Sequence, residues 1–180
     1  MKNSSAKKKR ILNATQVKAI FERFAREMTK QYGNLDQVDF IGVRTRGPYV
    51  AKRLAAIVKK RHGKEIPIGE MDITLYRDDL NALLPGGTID HTRIPFDIAN
   101  KIVVLFDDVL YTGRTVRAAV DHLIDLGRPR MIHLAVMIDR GGRELPIAAN
   151  YVGKKIHLSS AGNVQVRLKE VDKKDEVLVE

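Results

Sequence analysis

The run IVVLFDDVLYTGRT, from Ile102 to Thr115, constrains this chain more than any other stretch. Ile102 to Phe106 is continuously apolar and rich in β-branched residues, the pattern of a strand buried on both faces in a parallel sheet. A small, hydroxyl-rich loop follows. The period then becomes helical, with Val116, Val120, Leu123 and Ile124 predicted inward and Gly127 as the stop. A strand, tight loop and helix in this order require an α/β domain, in which ligands gather at the carboxyl ends of the strands.

The rest of the chain repeats the unit. From Gln16 to Tyr32 the residues Val17, Ile20, Phe21, Phe24, Ala25 and Met28 recur at intervals of three and four, predicting an amphipathic helix capped by Asn13 or Thr15 and ended by Gly33. Val38 to Val43 reads as a buried strand, followed by the turn RTRG and a helix with Pro48 in its first turn. Ile66 to Tyr76 is strand-like. Arg77 to Arg93 has Asp, Asn, Pro and Gly-Gly without a sustained period and is too long for a passive connection, so a mobile lid or flexible hairpin is expected there. Met131 to Ile138 is another strand, with shorter pieces around Tyr151, Ile156 and Val164. Three loops therefore matter: RTRG, DDVLYTGRT and DRGGRE.

Size and charge narrow the chemistry. The 180 residues suit one domain, placed at 11–180 after a mobile basic leader over 1–10. No apolar run approaches the length of a membrane span and no signal-peptide pattern is present, so a cytoplasmic protein is expected. The absence of cysteine excludes disulfides, thiolate nucleophiles and thiolate zinc sites, and the five histidines do not cluster. A net charge of +10 favours anionic partners, either nucleic acid or phosphorylated small molecules.

The loop from Phe106 to Thr115 fits the second kind. A phosphate needs several N–H donors pointing one way, and the backbone of Thr112, Gly113, Arg114 and Thr115 supplies them at a helix N-terminus. Gly113 permits close approach, and the Thr112 and Thr115 hydroxyls add donors. Asp107 and Asp108 would repel a phosphate but would accept hydrogen bonds from the vicinal hydroxyls of a ribose. The bland alternative is an Asp-rich turn capping an ordinary helix. Walker A and GxGxxG patterns are absent, which disfavours an ATPase or a dinucleotide site.

The whole string Asp107, Asp108, Val109, Leu110, Tyr111, Thr112, Gly113, Arg114 and Thr115 resembles the phosphoribosyl pyrophosphate (PRPP) signature of type I phosphoribosyltransferases. DITLYRDDL (Asp72 to Leu80), VLYTGRTVRA, LGRPR, DRGGRELPI and YVGKK resemble the PyrR family of uracil phosphoribosyltransferases and pyrimidine-operon attenuation proteins. The resemblance implies a central parallel sheet flanked by helices with a small hood, a homodimer or higher homo-oligomer, and Mg2+ carried by PRPP in place of a resident metal. It implies conversion of uracil and PRPP to UMP and pyrophosphate, with alignment and electrostatics as the enzyme's tasks. Thr45, Arg46 and Gly47 match the family's pyrophosphate loop, where the resemblance implies a non-proline cis peptide and gives Arg46 the charge growing on the leaving group. Arg77, with Asp78 and Asp79, opens the segment implied to close over PRPP and exclude water, unless all three are solvated charges. Base recognition is expected from Asp139 and Arg140 with the backbone near Val164, unless DRGGRE is a turn held by an internal Asp–Arg pair.

PyrR proteins also bind messenger RNA, and here the sequence departs from the family's pattern. Glu22 and Arg26 stand where Thr and His are usual, Gly142 replaces the His of DRGHRE, and Ala148 stands where an arginine is expected. GKNIPTS has become GKKIHLSS, next to the base. Arg23, Arg143 and Lys154 remain as candidate RNA contacts. The competing expectation is a nucleotide-sensing, RNA-binding attenuation regulator with weak or no catalysis.

Overall fold

The computed structural model describes residues 8–76, 91–159 and 162–180. The chain opens with β1 (Lys9–Leu12) and α1 (Ala14–Tyr32), then β2 (Val38–Val43), α2 (Gly47–His62) and β3 (Ile68–Met71), which leads into a single 3-10 turn at Thr74–Tyr76. After it come β4 (Ile102–Leu110), α3 (Arg114–Leu126), β5 (Met131–Asp139), β6 (Tyr151–Lys155), β7 (Val164–Arg167), the short α4 (Lys169–Asp172) and β8 (Glu176–Val179).

Five strands form a parallel sheet in the order β3-β2-β4-β5-β6. β2 is buried along its whole length and β4 over Ile102 to Phe106, and their side chains alternate between two cores. Phe40, Val104 and Phe106 face α1 and α2, with the Phe40 and Phe106 rings edge to face at 4.8 Å between centroids. Ile41, Val43, Val103 and Leu105 face α3. Because all five strands run the same way, the loops after β2, β3, β4 and β5 emerge on one rim.

Local chemistry sets the helix ends. Asn13 caps α1 in a reciprocal box: its side chain accepts from Gln16 N at 3.0 Å, and Gln16 Oε1 accepts from Asn13 N at 2.9 Å, an arrangement contributing about 1 kcal/mol. Gly63 ends α2 in the left-handed region, φ 65°, which a side chain would strain.

The hood is a three-stranded antiparallel sheet, β1-β8-β7, joining the chain's two ends. Lys9 and Arg10 pair there with Val179 and Leu178, and Lys8 Nζ meets Glu180 Oε1 at 3.0 Å. The last residues of the expected mobile leader are therefore strand, because β8 offers them a partner edge; residues 1–7 lie outside the described residues. Two further expectations change. β4 runs on through Asp107 to Leu110, since its ladder to β5 continues as far as Leu110 and Asp139, leaving only Tyr111 to Gly113 as loop. On α3, Ile124 is 61% exposed, and Ala119 and His122 are buried instead.

Candidate active site

Among the described residues, the acids at the carboxyl end of β4 have no salt-bridge partner. Asp107 is buried, and its Oδ1 accepts the backbone N–H of Asp108 at 2.8 Å. Burial, and then the adjacent Asp108 carboxylate, push the Asp107 carboxyl well above the usual carboxylate range, and the Asp108 N–H only partly offsets this. Two neighbouring carboxylates held this way call for hydroxyl donors or a cation. Beyond them, Gly113 turns the chain with φ 96° and begins α3 without a side-chain cap. The Arg114 N–H is taken by Thr112 Oγ1 at 3.3 Å, while the next two N–H groups of the first turn, on Thr115 and Val116, have no intrahelical acceptor and suit an anion. Arg114's own guanidinium turns outward to Glu144 Oε2, 2.7 Å away.

The loop after β2 is compressed against β4. A Cβ on Gly47 would lie 2.2 Å from the Phe106 carbonyl oxygen, and one on Gly42 2.2 Å from Pro48 N, so both positions must lack side chains. The Arg44–Thr45 peptide is cis. Arg46, expected at the leaving group, points elsewhere: its guanidinium holds Asp172 of α4 through Nη2 at 3.0 Å and Nε at 3.4 Å. Burial raises the Asp172 carboxyl, but Arg46 and the Leu168 N–H outweigh it and leave the group below its usual range.

A cavity of about 570 Å³ opens on this rim, lined by Arg44, Thr45, Asp72, Thr74, His91, Asp107, Asp108, Val109 and Thr115 among others. It brings together Thr45, Asp107, Asp108, Val109 and Thr115 of the predicted set. Arg46, Gly47, Leu110, Tyr111, Thr112, Gly113 and Arg114 of that set do not line it. Sequence reasoning missed Arg44, Asp72, Thr74 and His91. RTRG and DITLYRDDL contained the first three as motif letters without roles, and His91 carried no signal. Arg77, Asp78 and Asp79 lie outside the described residues.

The donor set fits a metal that arrives on a polyphosphate. Among the described residues no group of three His, Cys, Asp or Glu side chains could hold an ion alone. Asp107 and Asp108 offer hard oxygen donors, whereas Asp72 Oδ1 already accepts Thr74 N and Oγ1 at 3.0 and 2.6 Å. One or two carboxylates completed by phosphate oxygens and water suit Mg2+, which would neutralise the leaving phosphates.

At the end of β5, Arg140 is 7% exposed, its guanidinium carbon 3.8 Å from the Tyr111 ring centroid and its Nη2 on Ser159 O at 3.1 Å, while its buried Nε has no partner among the described residues. Gly142, φ 74°, makes room for that ring, since a Cβ there would be 2.5 Å from Tyr111 Cε2. Asp139 accepts Gly141 N at 3.0 Å and pairs with Arg143 at 2.6 Å. Burial raises its carboxyl, but these contacts prevail and hold it below the usual range. DRGGRE is thus a turn with an internal Asp–Arg pair, the alternative weighed from the sequence. Val164, on β7, packs half-buried against the core on the α1 and α2 side.

The three basic residues expected at RNA are occupied by the fold. Arg23 Nη2 donates to the Val152 and Gly153 carbonyls, both at 2.8 Å; Arg143 donates to Tyr111 O at 2.7 Å and Ile147 O at 2.9 Å; Lys154 Nζ lies 3.5 Å from Ile11 O. Glu22 is paired with Arg61, and Arg26, Gly142 and Ala148 are exposed.

A parallel sheet whose β2 and β4 loops enclose two carboxylates beside an uncapped helix start defines a phosphoribosyltransferase. The profile of the phosphoribosyl transferase domain family matches residues 7–170. Bifunctional protein PyrR of Chloroflexus aurantiacus is 50% identical over 171 residues, 95% of this chain and 94% of that protein. Its namesake from Thermus thermophilus is 48% identical over 170 residues, 94% of each. The chain belongs to the PyrR family of phosphoribosyltransferases. In fold it is also similar to the hypoxanthine phosphoribosyltransferases of Trypanosoma cruzi (TM-score 0.74, 14% identity, covering 99% of this chain and 96% of that one) and Staphylococcus aureus (0.70, 20%, covering 94% and 90%).

Proposed function

We propose that this chain converts uracil and PRPP to UMP and pyrophosphate. The observation that carries the reading is the pair Asp107 and Asp108, set in one cavity with Arg44, Thr45 and Thr115 next to the uncapped start of α3. In this reading the N–H groups of Thr115 and Val116 hold the 5′-phosphate, the two carboxylates accept the ribose hydroxyls, and Arg44 with the Thr45 backbone faces the pyrophosphate. N1 of uracil forms the bond to C1 as the C1–O bond to pyrophosphate breaks, and the N1 proton passes to the departing pyrophosphate or to water. Mg2+ arriving with PRPP would find hard oxygen donors in Asp107 and Asp108 and would supply charge neutralisation to the polyphosphate. The protein contributes alignment and fixed dipoles in place of a covalent intermediate. Arg140 and the backbone near Val164 are assigned to the base side, with Asp139, whose carboxylate is committed to Arg143 and the Gly141 N–H, holding the turn that positions Arg140. The unpartnered, buried Arg140 Nε supports this, because a donor left bare favours a ligand that offers an acceptor.

The test is pyrophosphate release from PRPP and Mg2+ with a panel of bases. Uracil should react, and hypoxanthine and guanine should not. Turnover of a purine in preference to uracil would overturn the assignment.

The relatives are named bifunctional, and the second activity that the family resemblance implies is UMP-responsive attenuation of pyrimidine-operon mRNA. We propose that here RNA contact persists chiefly through phosphate charge, since Arg23, Arg143 and Lys154 serve the fold. Assembly into a homodimer or higher oligomer belongs to the same reading and is tested by light scattering. Among the described residues no helix is long and apolar enough to cross a membrane.

A further inference from the structure

We infer that His91 is a substrate-contact residue that donates a hydrogen bond to the pyrophosphate end of PRPP, beside Arg44. The inference rests on the proposed transferase reading and adds to it a group that no motif marks.

Three observations converge. First, among the described residues lining the 570 Å³ cavity, Arg44 and His91 alone carry side-chain nitrogen, and neither side chain has a partner among the described residues. The remaining polar lining is three carboxylates and three threonines, Asp72, Asp107, Asp108, Thr45, Thr74 and Thr115. A diphosphate with several negative charges needs donors, and acids cannot serve it.

Second, His91 is held in place by the residues that follow it. Thr92 Oγ1 accepts Asp72 N at 3.0 Å and donates to Asp72 O at 3.3 Å, and Arg93 exchanges two backbone hydrogen bonds with Glu70, at 2.7 and 2.9 Å. His91 is therefore tied to the carboxyl end of β3.

Third, the sheet order says which end of the ligand it meets. β3 and β4 flank β2 on opposite sides. Thr115, which takes the 5′-phosphate, belongs to β4 and α3, and the base side belongs to β5. A group anchored on β3 reaches the cavity from beyond Arg44 and Thr45, the side away from both 5′-phosphate and base. What lies there in PRPP and is absent from UMP is the pyrophosphate.

The experiment is a calorimetric titration of wild type, His91→Ala and His91→Gln with Mg2+–PRPP, Mg2+–pyrophosphate and UMP. His91→Ala should bind PRPP and pyrophosphate about tenfold more weakly, as expected for one lost hydrogen bond to a charged group, and UMP within about twofold of wild type. His91→Gln, which keeps an N–H donor, should recover most of the loss. Unaltered PRPP binding in His91→Ala would overturn the inference and leave the transferase reading standing, as would an equal loss of UMP, which would mean that the rim itself had shifted. Wild-type protein that binds neither PRPP nor pyrophosphate would overturn both.

Discussion

The rim at the ends of β2 and β4 and the face built from α1, β6 and the turn after β5 are both charged, but they use charge in opposite ways. On the face, Arg23 bridges two carbonyls of β6, the sheet's edge strand, and Arg143 gathers the Tyr111 and Ile147 carbonyls while neutralising Asp139. Those guanidiniums supply donors to backbone carbonyls at the sheet edge and in the turn, in place of water. On the rim, Asp107 is buried against Asp108, and neither it nor Arg44 has a salt-bridge partner among the described residues. Charge whose bonding capacity is spent inside the fold serves stability. Capacity left open at the carboxyl end of a parallel sheet serves a ligand.

The hardest test of this contrast is Asp108→Asn, which should lower kcat/KM for UMP formation about tenfold to a hundredfold, since hydrogen bonds from hydroxyls to a carboxylate are lost or weakened. Asp107→Asn should do the same and also raise the melting temperature at neutral pH. The sign follows from burial: the folded carboxyl titrates above the unfolded one, so ionised Asp107 costs stability at neutral pH, a cost relieved as pH falls. Unchanged PRPP affinity in both variants would break the comparison.

Arg143→Ala comes next. It should cost about 2–3 kcal/mol in urea unfolding, because it strands the half-buried Asp139 carboxylate and two carbonyls. Normal stability combined with lost RNA retention would return Arg143 to the reader's role and erase the difference between the two regions.

How much of this the sequence carried depends on the range of the interaction. Periodicity and motif gave α1, β2, α2, β4 and β5, because burial on a sheet imposes its pattern within a few residues. That Asp107, Asp108 and Thr115 would meet at one cavity was legible for the same reason, since they lie within one strand and helix. The pairing of Arg46 with Asp172 was not legible, because Asp172 lies far along the chain in α4 and nothing near Arg46 announces it. For Arg23 and Lys154, candidate RNA contacts in the sequence, the carbonyls of β6 and β1 beside them were likewise out of range of any local signal. Ile124 fits the helical stripe of α3 but faces outward, since periodicity gives the direction of a face and not its width.

Asp39 sharpens the contrast from the other side. It is 3% exposed on β2, its Oδ2 has no partner among the described residues, and burial raises its carboxyl, with Lys101 opposing and Asp97 adding. Yet it sits near the start of β2, at the end of the sheet away from the rim, so an open group there is a cost with no ligand to relieve it. Because the folded carboxyl titrates above the unfolded one, stability falls as pH rises between the two. Asp39→Asn should therefore be more stable than wild type at neutral pH, with the advantage vanishing below the ordinary carboxylate range, and should leave PRPP affinity unaltered. Thermal melts across that pH interval measure it; a gain independent of pH would mean that the charge is not the cause.

The smallest expected effect is discrimination between RNAs. With Arg23, Arg143 and Lys154 held by carbonyls and Glu22 paired with Arg61, the groups left on that face reach phosphates more readily than base edges. Phosphate contacts release counterions and give a steep loss of affinity with salt, but they carry no sequence information. A reader of bases would lose about 1–3 kcal/mol for each wrong base, by analogy with DNA sites. Filter binding of a pyrimidine-operon leader hairpin and its scrambled counterpart, at two salt concentrations and with or without UMP, separates the two modes. The expected result is affinity for the two hairpins within about threefold, a strong dependence on salt, and little response to UMP. Tight binding of the leader alone, strengthened by UMP, would show that other side chains have taken over the reading, with Arg26 and the exposed stretch around Gly142 and Ala148 as the first places to look.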